Sequence, residues 1–115
     1  MTVDILLITY RRSNYLKSTI NMLAKHKVNL FVYSNSEMDQ ESAKDVKNVR
    51  SIIQENLNAN KVHRVLFNKE HLSVDHSIPF AIDWFFDQVD CGIILEDDCI
   101  LNEDAMSEIT KITRE

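Results

Sequence analysis

Val3-Asp4-Ile5-Leu6-Leu7-Ile8 is a nearly continuous apolar run of strand length. A strand with one wet face alternates apolar and polar residues. A run this uniform reads instead as a strand buried on both faces, the habit of parallel sheets covered by helices. Beyond it, Thr9-Tyr10-Arg11-Arg12 leaves the strand, Ser13 or Asn14 offers a helix N-cap, and Leu16, Ile20 and Leu23 recur at helical spacing to about His26. Asn29 to Ser34 predicts a second strand, with Ser34-Asn35-Ser36 as its polar exit. From about Asp39 to Asn60 the residues Val46, Val49, Ile52, Ile53 and Leu57 fall on one helical stripe. His63 to Phe67 is a third strand and Asn68 to Ser73 a polar loop. A helix between Ser73 and Gln88 carries Ile78, Ile82, Phe85, Phe86 and Val89. Pro79 fits only near a first turn, so Ser77 is a candidate cap, and an earlier start would imply a kink. Cys91 to Leu95 is the fourth strand, and Asn102 caps a last helix with Met106, Ile109 and Ile112 inward.

Strands separated by helices of this length imply parallel pairing through right-handed crossovers. The expected fold is therefore α/β, a Rossmann-like three-layer sandwich with a mainly parallel sheet of about four strands, in one domain spanning residues 1–115. Such sheets bind ligands outside the carboxyl ends of their strands. All four exits are polar: Thr9 to Arg12, Ser34 to Ser36, Asn68 to His71, and Glu96 to Asp98.

The composition narrows the function classes. Of 115 residues, 44% are hydrophobic and 27% charged, enough apolar matter for a core and too much for a disordered tail. The net charge of -5 argues against a protein that grips nucleic acid or an anionic membrane. No segment approaches the roughly 20 apolar residues of a membrane span. No basic stretch precedes a hydrophobic region at the N-terminus, so no signal peptide is expected and the expected location is cytoplasmic. Cys91 and Cys99, if the chain between them is extended, stand roughly 26 Å apart at about 3.3 Å per residue, far beyond the ~7 Å reach of a disulfide. Two reduced thiols are the reading. The chain has one Gly and one Pro. Turns must draw on Asn, Asp and Ser, and a single glycine excludes both the P-loop and the Gly-x-Gly-x-x-Gly fingerprint.

The sharpest chemical signal is Gly92-Ile93-Ile94-Leu95-Glu96-Asp97-Asp98-Cys99, an apolar strand that stops at three adjacent carboxylates. At about 4 Å each like-charged pair costs on the order of 4 kcal/mol at an effective dielectric near 20. A divalent cation bound to a phosphorylated ligand relieves that repulsion, and carboxylate oxygens suit Mg²⁺ or Mn²⁺. The plain alternative is a solvated acidic loop capping the next helix. Arg11-Arg12 precedes a helix N-terminus and suits phosphate through its planar donors, with Arg12 the residue expected to face ligand. His63, His71 and His76 match no compact zinc spacing, so zinc is not expected, whereas His71 on the third exit is a candidate ligand contact. Phe85 and Phe86 are read as core.

Taken together, Ile8-Thr9-Tyr10-Arg11-Arg12, Asn68, Ala81-Ile82-Asp83-Trp84-Phe85-Phe86 and the Gly92 to Cys99 stretch resemble the N-terminal half of a GT-A glycosyltransferase, a nucleotide-diphospho-sugar transferase whose acidic motif is of the Asp-x-Asp type. The resemblance covers nearly the whole chain and implies strand order 3-2-1-4 in a truncated GT-A fold. It implies that Thr9, Tyr10 and Arg12 line the nucleotide pocket and that Ser34 or Asn35 approaches the base. Asn68 would sit beside ribose or phosphate, Glu96 and Asp97 would contact ribose and sugar, and Asp98 would be the direct ligand of Mn²⁺ or Mg²⁺. The implied donor is a nucleotide-diphosphate sugar and the implied acceptor a hydroxyl of a glycan, lipid or protein. The chain ends at Glu115, so the expectation is a donor-binding half without the C-terminal acceptor half, exposing apolar surface and prone to self-association. Asn35-Ser36 stands where relatives often carry Asp-Gly, and Lys69 to Leu72 lacks their glycine. Two other readings are a non-catalytic nucleotide, metal or protein-binding module of the same descent, and a receiver-like signalling domain. The receiver needs an aspartate where the third strand here ends in Leu66-Phe67-Asn68.

Overall fold

Seven elements alternate along residues 2–97, the part of the chain that the computed structural model describes: β1 (Val3–Thr9), α1 (Leu16–Ala24), β2 (Val28–Ser34), α2 (Gln40–Asn58), β3 (Arg64–Phe67), α3 (Val74–Phe86) and β4 (Ile93–Glu96). The expected helix after Asn102, with Met106, Ile109 and Ile112, lies outside the described residues, as do Asp98 and Cys99. The four strands form one sheet in the order β3-β2-β1-β4, and every pairing is parallel. The fold is thus the α/β sandwich that the alternation predicts. No helix among the described residues is long and apolar enough to cross a membrane.

The pleat sorts side chains between two helical layers. Val3, Ile5 and Leu7 of β1 and Leu30 and Val32 of β2 join Leu16, Ile20 and Leu23 of α1 and Val49 and Ile53 of α2. Leu6, Phe31 and Tyr33 point the other way, onto Ala81 and Phe85 of α3. Ile5, Leu6 and Leu7 are fully buried, as a central parallel strand requires. Residues Thr9, Ser34 and Phe67 stand in one register row, and Ile8 pairs with Glu96. The four carboxyl ends therefore open along a single rim.

Local chemistry sets the boundaries. Asp39 and Ser42 form a reciprocal capping box at α2, and the Ser42 N–H bond pulls the Asp39 carboxyl below its usual value. Asn60, at φ 62°, makes the left-handed turn after α2 that a glycine would otherwise supply. The chain's one glycine is used at a close approach. A Cβ on Gly92 would stand 2.5 Å from the Phe85 ring and 2.7 Å from the Asp4 carbonyl, so only glycine lets β4 start beside β1 over that ring.

Several expectations need correction. Neither Ser13 nor Asn14 caps α1. The cap position is Tyr15 with no side-chain bond, and Ser13 contributes its carbonyl, which accepts from the Leu16 N–H at 3.3 Å. Helix α3 starts at Val74, not after Ser77. The Ser73 carbonyl takes both the His76 and Ser77 N–H groups, at 3.0 and 2.7 Å. Pro79 therefore lies inside the helix, where the bond it forgoes would have gone to the carbonyl of Asp75, an exposed residue that water can serve. Phe85 is fully buried, but Phe86 is 40% exposed, because adjacent helical positions point about 100° apart and only one can face the sheet. Among the described residues β4 is an edge strand with Ile94 exposed, and its last residue is Glu96.

Candidate functional site

A cleft of about 340 Å³ opens at the carboxyl rim between the exits of β1 and β4 and the first turns of α3. It brings together Thr9, Tyr10, Arg12, Asn35, Glu96 and Asp97 from sites up to 88 residues apart, with Val74, Ser77 and Ile78 as its apolar-to-hydroxyl wall. Ser34 and Asn68, the other two expected contacts, are not on its surface. They form buried support behind Asn35, and Asp98 lies outside the described residues.

The β1 exit is tied to the acidic end of β4. Thr9 is buried, and its hydroxyl donates to the Tyr33 carbonyl at 2.8 Å, which fixes the backbone just before the loop. The Tyr10 N–H then donates to Asp97 Oδ2 at 3.3 Å, and Arg12 Nη1 stands 4.0 Å from Asp97 Oδ1. The Arg11-Arg12 pair divides its duties. Arg11 turns to α2, where Nε and Nη2 both donate to Asp45 Oδ2 at 3.0 and 2.7 Å, and this bond holds the guanidinium above its usual pKa. Arg12 faces the carboxylates of the cleft. Arg12 thus stands beside Asp97, Arg11 also lines the cleft while bonded to Asp45, and Glu96 is exposed. The cleft thus sets carboxylate oxygens beside guanidinium groups.

The β2 and β3 exits are locked together. Asn35 Oδ1 accepts from Ser36 N at 2.9 Å, Asn68 Nδ2 at 3.1 Å and Leu72 N at 3.1 Å, while Asn35 Nδ2 donates to the Leu72 carbonyl at 2.7 Å. Asn68 Nδ2 also donates to the Tyr33 hydroxyl. Burial pushes that phenol up, against the opposing pull of its bonds with Ser77 and Asn68, so it stays protonated. His71 Nδ1 lies 2.9 Å from the Ser36 carbonyl, and the His71 ring rests 5.3 Å from the Tyr10 ring. A carbonyl only accepts, so Nδ1 carries the proton. The other histidines stand elsewhere, His76 bonded to Ser73 and His63 edge-on to Phe31.

Sequence reasoning missed Arg50, whose guanidinium donates to Ser34 Oγ, the Ser34 carbonyl and the Asn68 carbonyl. The available signal was a lone arginine immediately beside the buried stripe of α2, between Val49 and Ile53. It also missed Tyr33 as a polar participant and Ser77 as a cleft residue, because each sits in a segment read as plain core or as a cap.

Glu96 and Asp97 are the described residues whose oxygens could serve a hard divalent cation. Glu96 and Asp97 offer oxygen only, and such a metal usually takes one or two carboxylates plus phosphate oxygens and water. Among the described residues no group of three His, Cys, Asp or Glu side chains converges, and the third acid of the motif, Asp98, lies outside them. No protein-family model, no curated protein and no solved structure matches the chain.

Proposed function

We propose that the cleft is the donor site of a metal-dependent glycosyltransferase. It would bind a nucleotide-diphosphate sugar for transfer to an acceptor hydroxyl of a glycan, lipid or protein. The observation that carries this reading is the meeting of Tyr10 and Arg12 from the first exit with Glu96 and Asp97 from the fourth, in one cleft on the ligand-binding rim of a parallel sheet.

Each residue has a physical task. Arg12 presents planar donors to a diphosphate oxygen beside the N-terminal end of α1, where helix N–H groups favour anions. The Tyr10 N–H holds Asp97 in orientation, and Thr9 anchors the loop that carries both. Glu96, Asp97 and Asp98 would hold Mn²⁺ or Mg²⁺, which when bound neutralises charge on the leaving nucleoside diphosphate. Val74, Ser77 and Ile78 line the α3 side of the cleft. Exposed Phe86 and Ile94 support self-association at high concentration, which light scattering would read as a mass above the monomer.

Calorimetry with UDP and GDP, with and without Mn²⁺, tests the reading on the wild type and Asp98→Ala. Metal-dependent binding that the substitution abolishes is the expected result. Binding that ignores both metal and substitution, or no binding under any condition, overturns it.

A further inference from the structure

Arg50 lines the outer groove between α2 and β3 and is absent from the cleft, yet its guanidinium holds the two strand ends that support the cleft. It follows Val49, one position off the buried stripe of Val46, Val49 and Ile53, so its stem leaves α2 beside the core and its head reaches the rim. Nε donates to Ser34 Oγ at 3.0 Å, and Nη2 donates to the Ser34 carbonyl at 3.1 Å and the Asn68 carbonyl at 2.8 Å. The guanidinium lies 4.9 Å from the centre of the Phe67 ring. A fork that bonds two strand ends while stacking on an aromatic face is a task that lysine's single ammonium cannot reproduce.

From there the contacts run inward without a gap. The Asn68 amide bonds Asn35 and Tyr33, and Asn35 takes both main-chain polar groups of Leu72. His71, the next residue back, bonds the Ser36 carbonyl and sets its ring against Tyr10, whose N–H holds Asp97. We propose that Arg50 is a positioning residue of the cleft: by binding the ends of β2 and β3 together it sets where His71 and Tyr10 stand, and through Tyr10 where Asp97 stands. The role does not depend on what the cleft binds. Only its effect on affinity rests on the donor-site reading.

The test compares Arg50→Lys with Ile53→Val, a core substitution three residues further along α2, on two readouts. The first is ring ¹⁵N NMR of His71 in the unliganded protein at mildly alkaline pH. The wild type should show the Nδ1-protonated tautomer, Arg50→Lys should lose that signature, and Ile53→Val should keep it. The second is calorimetric affinity for UDP with Mn²⁺, expected to fall about ten- to a hundredfold in Arg50→Lys, as for other supports of a binding side chain, and to hold in Ile53→Val. An unchanged His71 signature in folded Arg50→Lys, or an equal loss in Ile53→Val, overturns the proposal. Should Arg50→Lys fail to fold, Ser34→Ala removes the Nε contact and, with it, the 3.5 Å bond from the Ser34 hydroxyl to the Asn35 carbonyl, while both Nη2 bonds remain. A smaller shift of the His71 signature in the same direction supports the role, and no shift overturns it. If the wild type binds no UDP, the donor-site reading falls while the NMR readout still decides the role of Arg50.

Discussion

At the ends of β2 and β3, Ser34, Asn35 and Asn68 are buried, each holds several hydrogen bonds, and Arg50 clamps the strands from outside. At the ends of β1 and β4 the bonds described for Asp97 are longer. Tyr10 N reaches Asp97 at 3.3 Å, and the Arg12 side chain is 66% exposed and 4.0 Å from the same carboxylate. One rim thus has two walls of opposite character. The first resembles a protein interior, where an unsatisfied polar atom is expensive. The second holds Asp97 mostly buried but keeps the Arg12 guanidinium near water, where exchanging a partner costs little. A ligand can be bound by the open wall while the closed wall keeps the loops in place, a division that lowers the ordering cost of binding.

The comparison breaks most visibly at Asn68. Asn68→Ala removes the donor shared by the Tyr33 hydroxyl and Asn35 Oδ1 and should cost about 2–3 kcal/mol in urea unfolding. A loss within experimental error would mean that the closed wall is no more tightly built than the open one. Gly92→Ala comes next. Its Cβ would press on Phe85 and the Asp4 carbonyl, and about 1–3 kcal/mol of destabilisation is expected. Because the strain enters at the start of β4, the His71 NMR signature on the closed wall should persist.

Arg12→Ala should leave stability within about 0.5 kcal/mol, as exposed charges do, while affinity for UDP with Mn²⁺ drops at least roughly tenfold, the scale of one lost charge-assisted bond. An affinity equal to wild type would take Arg12 out of the cleft's function. The smallest effect concerns acid. Asp39 and Glu37, just past the β2 exit, both titrate below their usual values. For Asp39 the leading cause is the Ser42 N–H, and for Glu37 it is its own backbone N–H, followed by the Ser36 hydroxyl. A carboxyl whose folded pKa is depressed contributes stability at neutral pH that is lost as pH falls from the usual carboxylate range through the lower folded value. Asp39→Asn keeps a cap acceptor without the charge, so its unfolding midpoint should change less between pH 7 and pH 3 than that of the wild type. An identical pH dependence would remove Asp39 from the account.

Much of the fold was legible because its signals are local. The unbroken run at Val3 to Ile8 announced a strand covered on both faces, and the α2 stripe announced which helical side is buried. Errors fell where a particular contact, local or tertiary, overrode a pattern rule. Pro79 suggested a helix start after Ser77, but the Ser73 carbonyl opened the helix four residues earlier and the proline was carried inside. Phe85 and Phe86 look alike in sequence, and only packing under Gly92 chose the first. For the site, the polar strand exits were readable as a set, since parallel topology gathers them on one rim. Their division of labour was not. Asn35 and Asn68 are short polar loop residues in sequence, and nothing local marks them as bonded to each other rather than to a ligand. Arg50 carried no motif at all.

The sequence by itself determined the alternation of strands and helices, the faces they bury, the crowding of Glu96 with Asp97 and Asp98, and the need for glycine economy in the turns. Each of these follows from periodicity or from the chemistry of adjacent residues. Only the tertiary structure decided that Arg11 turns to Asp45 while Arg12 meets Asp97, that Asn35 clamps Leu72, and that an arginine on α2 holds the ends of two strands. Those choices depend on distances between segments far apart along the chain, and such distances exist only once the sheet has set the register of its strands.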